Sequence, residues 1–198
     1  MARPDLTGIL LVGGASRRFG SPKALALWRG KTLAARAWQT LAEVGGERLA
    51  VGKLADRLDL PFPVLDDGTS TRAALAGIIA GLRAARTDLC VVLPVDTPLV
   101  TPRLLLDLAE ACADAAVTQA GPLPAAIRRG TIDVLERRLA EGALALRDAL
   151  AELETAWIEA DPALLVNVNV PEELQELERR TASASSSSSA PLRARPTR

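Results

Sequence analysis

The run at residues 7–12, TGILLV, has no polar side chain after its first residue. Such a strand has no face to give to water and must be covered on both sides. A parallel sheet flanked by helices supplies that cover. DLCVVLPV, residues 88–95, makes the same demand and reads as a central strand. Between and after these runs the pattern alternates. ERLAVG (47–52) and PVLDD (63–67) read as strands. Residues 32–44 read as a helix with Leu33, Ala37, Leu41 and Val44 on one face. Residues 72–85 place Leu75, Ile78, Ile79 and Leu82 at i, i+3, i+4 and i+7, a helical stripe. Pro102 suits the first turn of a third helix and Thr101 its N-cap; Leu105, Leu108, Ala109 and Cys112 share its apolar face. The alternation through about residue 120 predicts an α/β fold, three-layered, on an open and mostly parallel sheet with right-handed crossovers.

Beyond residue 120 the signals are shorter. AAVTQA and PAAIRR read as strands broken by Gly121-Pro122, two helical pieces fall within 131–153, and TAWIEA reads as a strand. LLVNVNV precedes a last helix expected at 171–180. The domain is therefore expected to cover residues 1–180. Residues 181–198, TASASSSSSAPLRARPTR, hold almost no large apolar side chain to offset the entropy of ordering, and read as a disordered tail.

Composition removes whole classes of chemistry. Lys plus Arg and Asp plus Glu both number 24, so the net charge is zero, which argues against general affinity for nucleic acid. No histidine occurs, so Ser-His-Asp triads, His-ligated zinc and imidazole acid/base work are excluded. A metal must then be held by oxygens, which points to Mg²⁺ or Mn²⁺. The two cysteines, Cys90 and Cys112, read as small buried hydrophobes rather than ligands or a disulfide. The amino-terminal MARPDLTG lacks the basic start and apolar stretch of a signal peptide, and no apolar run reaches the ~20 residues needed to cross a bilayer. The expectation is a cytoplasmic protein without a membrane partner.

Three segments carry chemistry. The first is the glycine-rich segment that follows the first strand, Leu11, Val12, Gly13, Gly14 and on to Lys23. Glycines let the backbone approach a ligand and turn N–H groups toward phosphate oxygens. Arg17 or Arg18, with Lys23, can neutralise a triphosphate. Neither a Walker A loop nor G-x-G-x-x-G is present. The second is Asp96, which ends an apolar strand before Thr97-Pro98, where a carboxylate can hold Mg²⁺ against phosphate. The third is Asn167-Val168-Asn169, whose alternation puts both amides on one face of an extended segment. In parallel α/β sheets ligands bind beyond the strand carboxyl ends, so the first two segments are expected to face one cleft.

The patterns GxxLVGGxSxRFGxxK, VLPVDTP and NVNVPEEL, in this order, resemble those of the molybdenum cofactor guanylyltransferases over about residues 6–178. The resemblance implies a Rossmann-like nucleotidyltransferase fold and transfer of GMP from GTP to molybdenum-molybdopterin with Mg²⁺. It implies as partners GTP, molybdopterin, other proteins of molybdenum cofactor biosynthesis and recipient molybdoenzymes. Residue by residue, it assigns nucleotide contacts to Leu11, Val12, Gly13, Gly14, Lys23, Asp67 and Asp96, with Asp66 as the alternative to Asp67. It assigns the metal to Asp96 and acceptor contacts to Asn167 and Asn169. The catalytic positioning and charge neutralisation are then expected from Arg17, Lys23 and a Mg²⁺ held by Asp96. Gly13, where related cytidylyltransferases carry alanine, is expected to leave room for a purine. The sequence departs from the family in four places. Residues 73–77 read AALAG where Gly-Pro-Leu-Ala-Gly is usual, and Val51-Gly52-Lys53 lacks the family's frequent Asn. Val170 replaces Thr, and Leu123-Pro124 replaces His-Pro. Two other readings stay open: nucleotidyl transfer, for example of CMP, to another phosphate acceptor, and a nucleotide-binding regulator without chemistry.

Overall fold

In a computed structural model, residues 5–13 and 19–187 are described. The central sheet has seven strands. In chain order these are β1 (Thr7–Leu11), β4 (Glu47–Gly52), β5 (Val64–Asp66), β6 (Leu89–Pro94), β7 (Ala115–Thr118), β8 (Gly121–Arg128) and β9 (Thr155–Ile158); β2 (Leu27–Trp28) and β3 (Lys31–Thr32) form a separate small hairpin. The spatial order is β5-β4-β1-β6-β8-β7-β9. β5, β4, β1 and β6 run parallel. β8 runs antiparallel to both β6 and β7, and β7 pairs in parallel with β9. The sheet is thus mostly parallel, with one reversed strand.

That reversal has a local cause. Only Gln119 and Ala120 separate β7 from β8, and so short a connection can join only antiparallel strands. Gly121 and Pro122, expected to break the two strands, instead open β8, and the pairing shifts register between Val117 and Thr118. The hairpin at 27–32 and the short 3₁₀ turns had no periodicity long enough to announce them.

Among the described residues six α-helices complete the layers: α1 (Leu33–Val44), α2 (Ala74–Ala84), α3 (Pro102–Ala111), α4 (Ile132–Ala140), α5 (Leu146–Leu150) and α6 (Pro171–Ser187). The Thr32 hydroxyl accepts from Ala35 N at 3.1 Å and the Thr101 hydroxyl from Leu104 N at 3.3 Å, so both threonine caps act at helix N-termini. α6 runs to Ser187, past position 180 where the sequence pattern ends it. Its core contacts, Leu174 and Leu177, lie well before that point.

Alternation along each strand feeds two cores. Leu10, Val91, Leu93 and Ala126 pack with Leu33, Leu41, Leu105 and Leu108 of α1 and α3 on one face. Ile9, Leu11, Val92 and Ile127 pack with Leu75, Ile78 and Leu82 of α2 and with Leu135, Ala149 and Leu150 of α4 and α5 on the other. These strands are apolar throughout because both faces are covered. The turn from α1 into β4 needs glycine at Gly46, whose φ is +71° and whose Cβ would lie 1.8 Å from the Leu6 carbonyl oxygen.

Candidate functional site

Four parallel strands stop at one edge of the sheet, and the residues just past their ends build the site. A cavity of about 470 Å³ opens there, within the size range of small-molecule sites. Its walls include Leu11 and Gly13 after β1, Gly52 and Lys53 after β4, Asp67 after β5, Asp96 after β6, Ala74 and Gly77 of α2, and Asn167. The ligand edge expected from the topology is therefore where the cavity lies.

At one end stands Asp96. Pairing outlasts β6 by one residue, because Val95 N donates to Leu11 O at 3.2 Å. The chain then turns, with the Thr97 hydroxyl donating to Pro94 O at 3.1 Å, and Asp96 projects from the ladder. Lys23 Nζ donates to Asp96 Oδ2 at 3.1 Å and to Asn169 Oδ1 at 3.2 Å. The Asp96 carbonyl also accepts from Val168 N at 2.9 Å, which docks the 167–169 segment beside the strand end. Val168 is fully buried while Asn167 and Asn169 turn outward, as alternation requires. Glu173 of α6 accepts from Asn169 N at 2.6 Å and fixes that segment from below. Segments 73 and 146 residues apart thus meet on one ammonium group.

This end suits a hard cation. A carboxylate and an amide oxygen both lie within reach of a single positive charge, here the Lys23 ammonium. Among the described residues no group of three or more His, Cys, Asp or Glu side chains could hold a metal alone. One carboxylate with room for ligand oxygens is how Mg²⁺ is commonly bound beside phosphates.

The opposite end is built by β4, β5 and the start of α2. The Asp66 carboxylate accepts from Leu54 N and Gly68 N, both at 2.8 Å, and these bonds hold it below the usual carboxylate range. Asp66 therefore folds back on its own loops, and Asp67 faces the cavity. Asp67 pairs with Lys53 at 2.6 Å, and Arg72 pairs with Asp56 through two bonds of 2.7 and 3.1 Å. Two ion pairs thus tie the segment after β4 to the loop before α2. Sequence reading missed Lys53 and Arg72, and missed the 120–123 turn on the far rim. A lysine directly after a parallel strand was the available signal for Lys53, since Gly13 and Asp96 occupy comparable positions.

The structure brings Leu11, Gly13, Lys23, Asp67, Asp96, Asn167 and Asn169 to this edge. Gly14 and Arg17 lie outside the described residues. Val12 is placed differently: its side chain is buried in the α1/α3 core and its N–H donates to Val51 O at 3.0 Å. Gly13 also needs a different explanation. A Cβ there would sit 3.3 Å from Gly52 Cα, so the missing methyl faces the neighbouring strand rather than open space. The two glycines let the ends of β1 and β4 approach each other. The cysteines are buried and free, as expected, and desolvation pushes the Cys90 thiol up to about 12 and that of Cys112 to about 11.

Comparison with known proteins fits this geometry. Residues 8–156 match the MobA-like NTP transferase domain. A probable molybdenum cofactor guanylyltransferase of Bacillus subtilis (strain 168) is 31% identical over 194 residues, covering 88% of this chain and 96% of that protein. The molybdenum cofactor guanylyltransferase of Burkholderia orbicola is 34% identical, covering 90% of this chain and 98% of its own. Among solved structures, molybdopterin-guanine dinucleotide biosynthesis protein A from Archaeoglobus fulgidus superposes with a TM-score of 0.74 at 25% identity, over 89% of this chain and 99% of that one. The chain belongs to the molybdenum cofactor guanylyltransferase family of nucleotidyltransferases.

Proposed function

We propose that this chain transfers GMP from GTP to the terminal phosphate of molybdenum-molybdopterin, releasing pyrophosphate. The observation that carries the reading is the Lys23–Asp96–Asn169 cluster at one end of a cavity whose other end holds Asp67. The nucleoside lies across the ends of β5, β4 and β1, against Leu11 and Gly77, with its triphosphate toward β6. Three strand spacings separate β5 from β6, about 14 Å, a span suited to an extended nucleotide.

An oxygen of the acceptor phosphate attacks the α-phosphorus of GTP. The bond from that phosphorus to the bridging oxygen breaks, and pyrophosphate leaves with the electron pair. The attacking phosphate is already anionic at neutral pH, so a chain without histidine needs no general base. What the protein supplies is position and charge. Lys23 neutralises phosphate charge, joined by Arg17 from the glycine-rich segment. Asp96, with Asn169 beside it, would hold Mg²⁺. When bound, that ion neutralises charge on the phosphoryl oxygens as a Lewis acid. Asn167 and Asn169 face the acceptor side, and Glu173 and Val168 fix their placement. Among the described residues no helix is long and apolar enough to cross a membrane.

The test is Asp96→Ala beside Asp96→Asn in a Mg²⁺-dependent transfer assay with GTP and molybdopterin. Loss of a charge held against the transition state should cost several kcal/mol, a fall of about a thousandfold or more. Near-normal turnover by a folded Asp96→Ala protein would remove Asp96 from the mechanism. A regulator without chemistry would release no pyrophosphate even as wild type.

A further inference from the structure

Lys53 follows β4 directly and is nine-tenths buried. Its ammonium has three donors, and each is used. It donates to Asp67 Oδ1 at 2.6 Å, to Thr71 O at 2.8 Å and to Thr69 O. Lys53 therefore has no donor left for a ligand. Asp67 is in the opposite condition. Its Oδ1 takes Lys53 and the Thr69 N–H at 3.2 Å, while among the described residues none bonds Oδ2. The carboxylate lines the cavity, with its side chain only 7% exposed.

An ionised carboxylate offers acceptors alone. Of the nucleobase edges, guanine places two donors side by side, N1–H and the 2-amino group. Adenine and cytosine each set a ring acceptor beside their amino group. We infer that Lys53 is a positioning residue that fixes Asp67 with one oxygen open to the ligand, and so sets how strongly this chain reads the 2-amino edge of guanine. The inference rests on the reading that GTP fills this cavity with its base toward β5. Without the ammonium, Asp67 loses its charged partner and the loop of Thr69 and Thr71 loses its tie. The carboxylate is then no longer held toward the base.

The probe is a pair of triphosphates that differ only in the 2-amino group, GTP and ITP. Dissociation constants are measured by calorimetry with Mg²⁺, alongside melting temperature, on wild type, Lys53→Met, Lys53→Arg and Asp67→Asn. Wild type should prefer GTP by about tenfold to a hundredfold, the range for a hydrogen bond to a charged group. Lys53→Met and Asp67→Asn should bring the ratio to near one, and Lys53→Arg, which keeps a charged donor, should retain most of it. Should Lys53→Met fail to fold, Lys53→Gln, which keeps a donor but no charge, should show a reduced ratio. If Lys53→Met weakens GTP and ITP by the same factor, the lysine only staples the loop and the inference is overturned. If wild type binds neither triphosphate, the nucleotide reading itself fails, and the inference with it.

Discussion

Gly13→Ala separates two explanations of the same glycine. If Gly13 makes room for a purine, an added methyl group should weaken GTP and spare smaller bases. The structure points elsewhere. The new Cβ would meet Gly52 Cα at 3.3 Å, with Gly52 C and Lys53 N both at 3.9 Å. All three are backbone atoms, so no rotamer change can relieve the contact. The strand ends must part by a few tenths of an ångström against the Val12 N to Val51 O bond of 3.0 Å. Overpacking of this kind costs about 1–3 kcal/mol. In a domain of this size each kcal/mol lowers the melting temperature by roughly 2–4 °C, so a fall of about 2–12 °C is expected. The displaced backbone carries Lys53, which holds Asp67, so GTP and CTP should both bind more weakly. Thermal unfolding monitored by circular dichroism, with calorimetry for both nucleotides, makes the measurement. An unchanged melting temperature with selective loss of GTP would refute the packing argument and restore the purine-room explanation.

Other outcomes follow from single contacts. In Gly81→Ala the new Cβ would lie 2.8 Å from two atoms of the fully buried Ile9, which should outweigh the ~1 kcal/mol gained in helix propensity and lower the melting temperature. Maleimide should label neither cysteine of the native protein at neutral pH, because both thiols are buried; rapid labelling of one thiol would show that its site opens. The raised Cys90 and Cys112 values imply stability fully present below the ordinary thiol value of 9.0 and lost as pH climbs toward about 12 and about 11; a flat stability profile over that window would contradict the burial. Ending the chain at Arg180 should leave melting temperature and turnover unchanged, since Leu174 and Leu177 supply the core contacts of α6; a fall of several degrees would mean that later residues pack on the domain.

What the sequence revealed and what it concealed have a common physical basis. The strands 7–11, 47–52 and 89–94 were legible because burial on both faces forces unbroken apolar runs, and their helices were legible because one covered face writes a 3.6-residue period. Asp96 was legible because a carboxylate at the end of such a run has no reason to be apolar's neighbour except a site or a turn. The reversed strand β8 was not, because direction is set by the length of one short connection and leaves no mark on the strand's own residues. The Lys53–Asp67 pair was hidden by its 14-residue separation, which becomes a contact only once β4 and β5 pair. Val12 sits inside the glycine-rich pattern, and its side chain turns into the core.

In the proposed reaction GTP is the nucleotide and molybdopterin the acceptor. Wild-type protein with Mg²⁺ and molybdenum-molybdopterin, offered each of the four ribonucleoside triphosphates separately, tests both parts when the dinucleotide product is identified by mass. Molybdopterin guanine dinucleotide and equimolar pyrophosphate are expected from GTP, with far slower product formation from ATP, CTP and UTP. Preferential formation of the cytosine dinucleotide, or no dinucleotide from any triphosphate, would contradict the proposal.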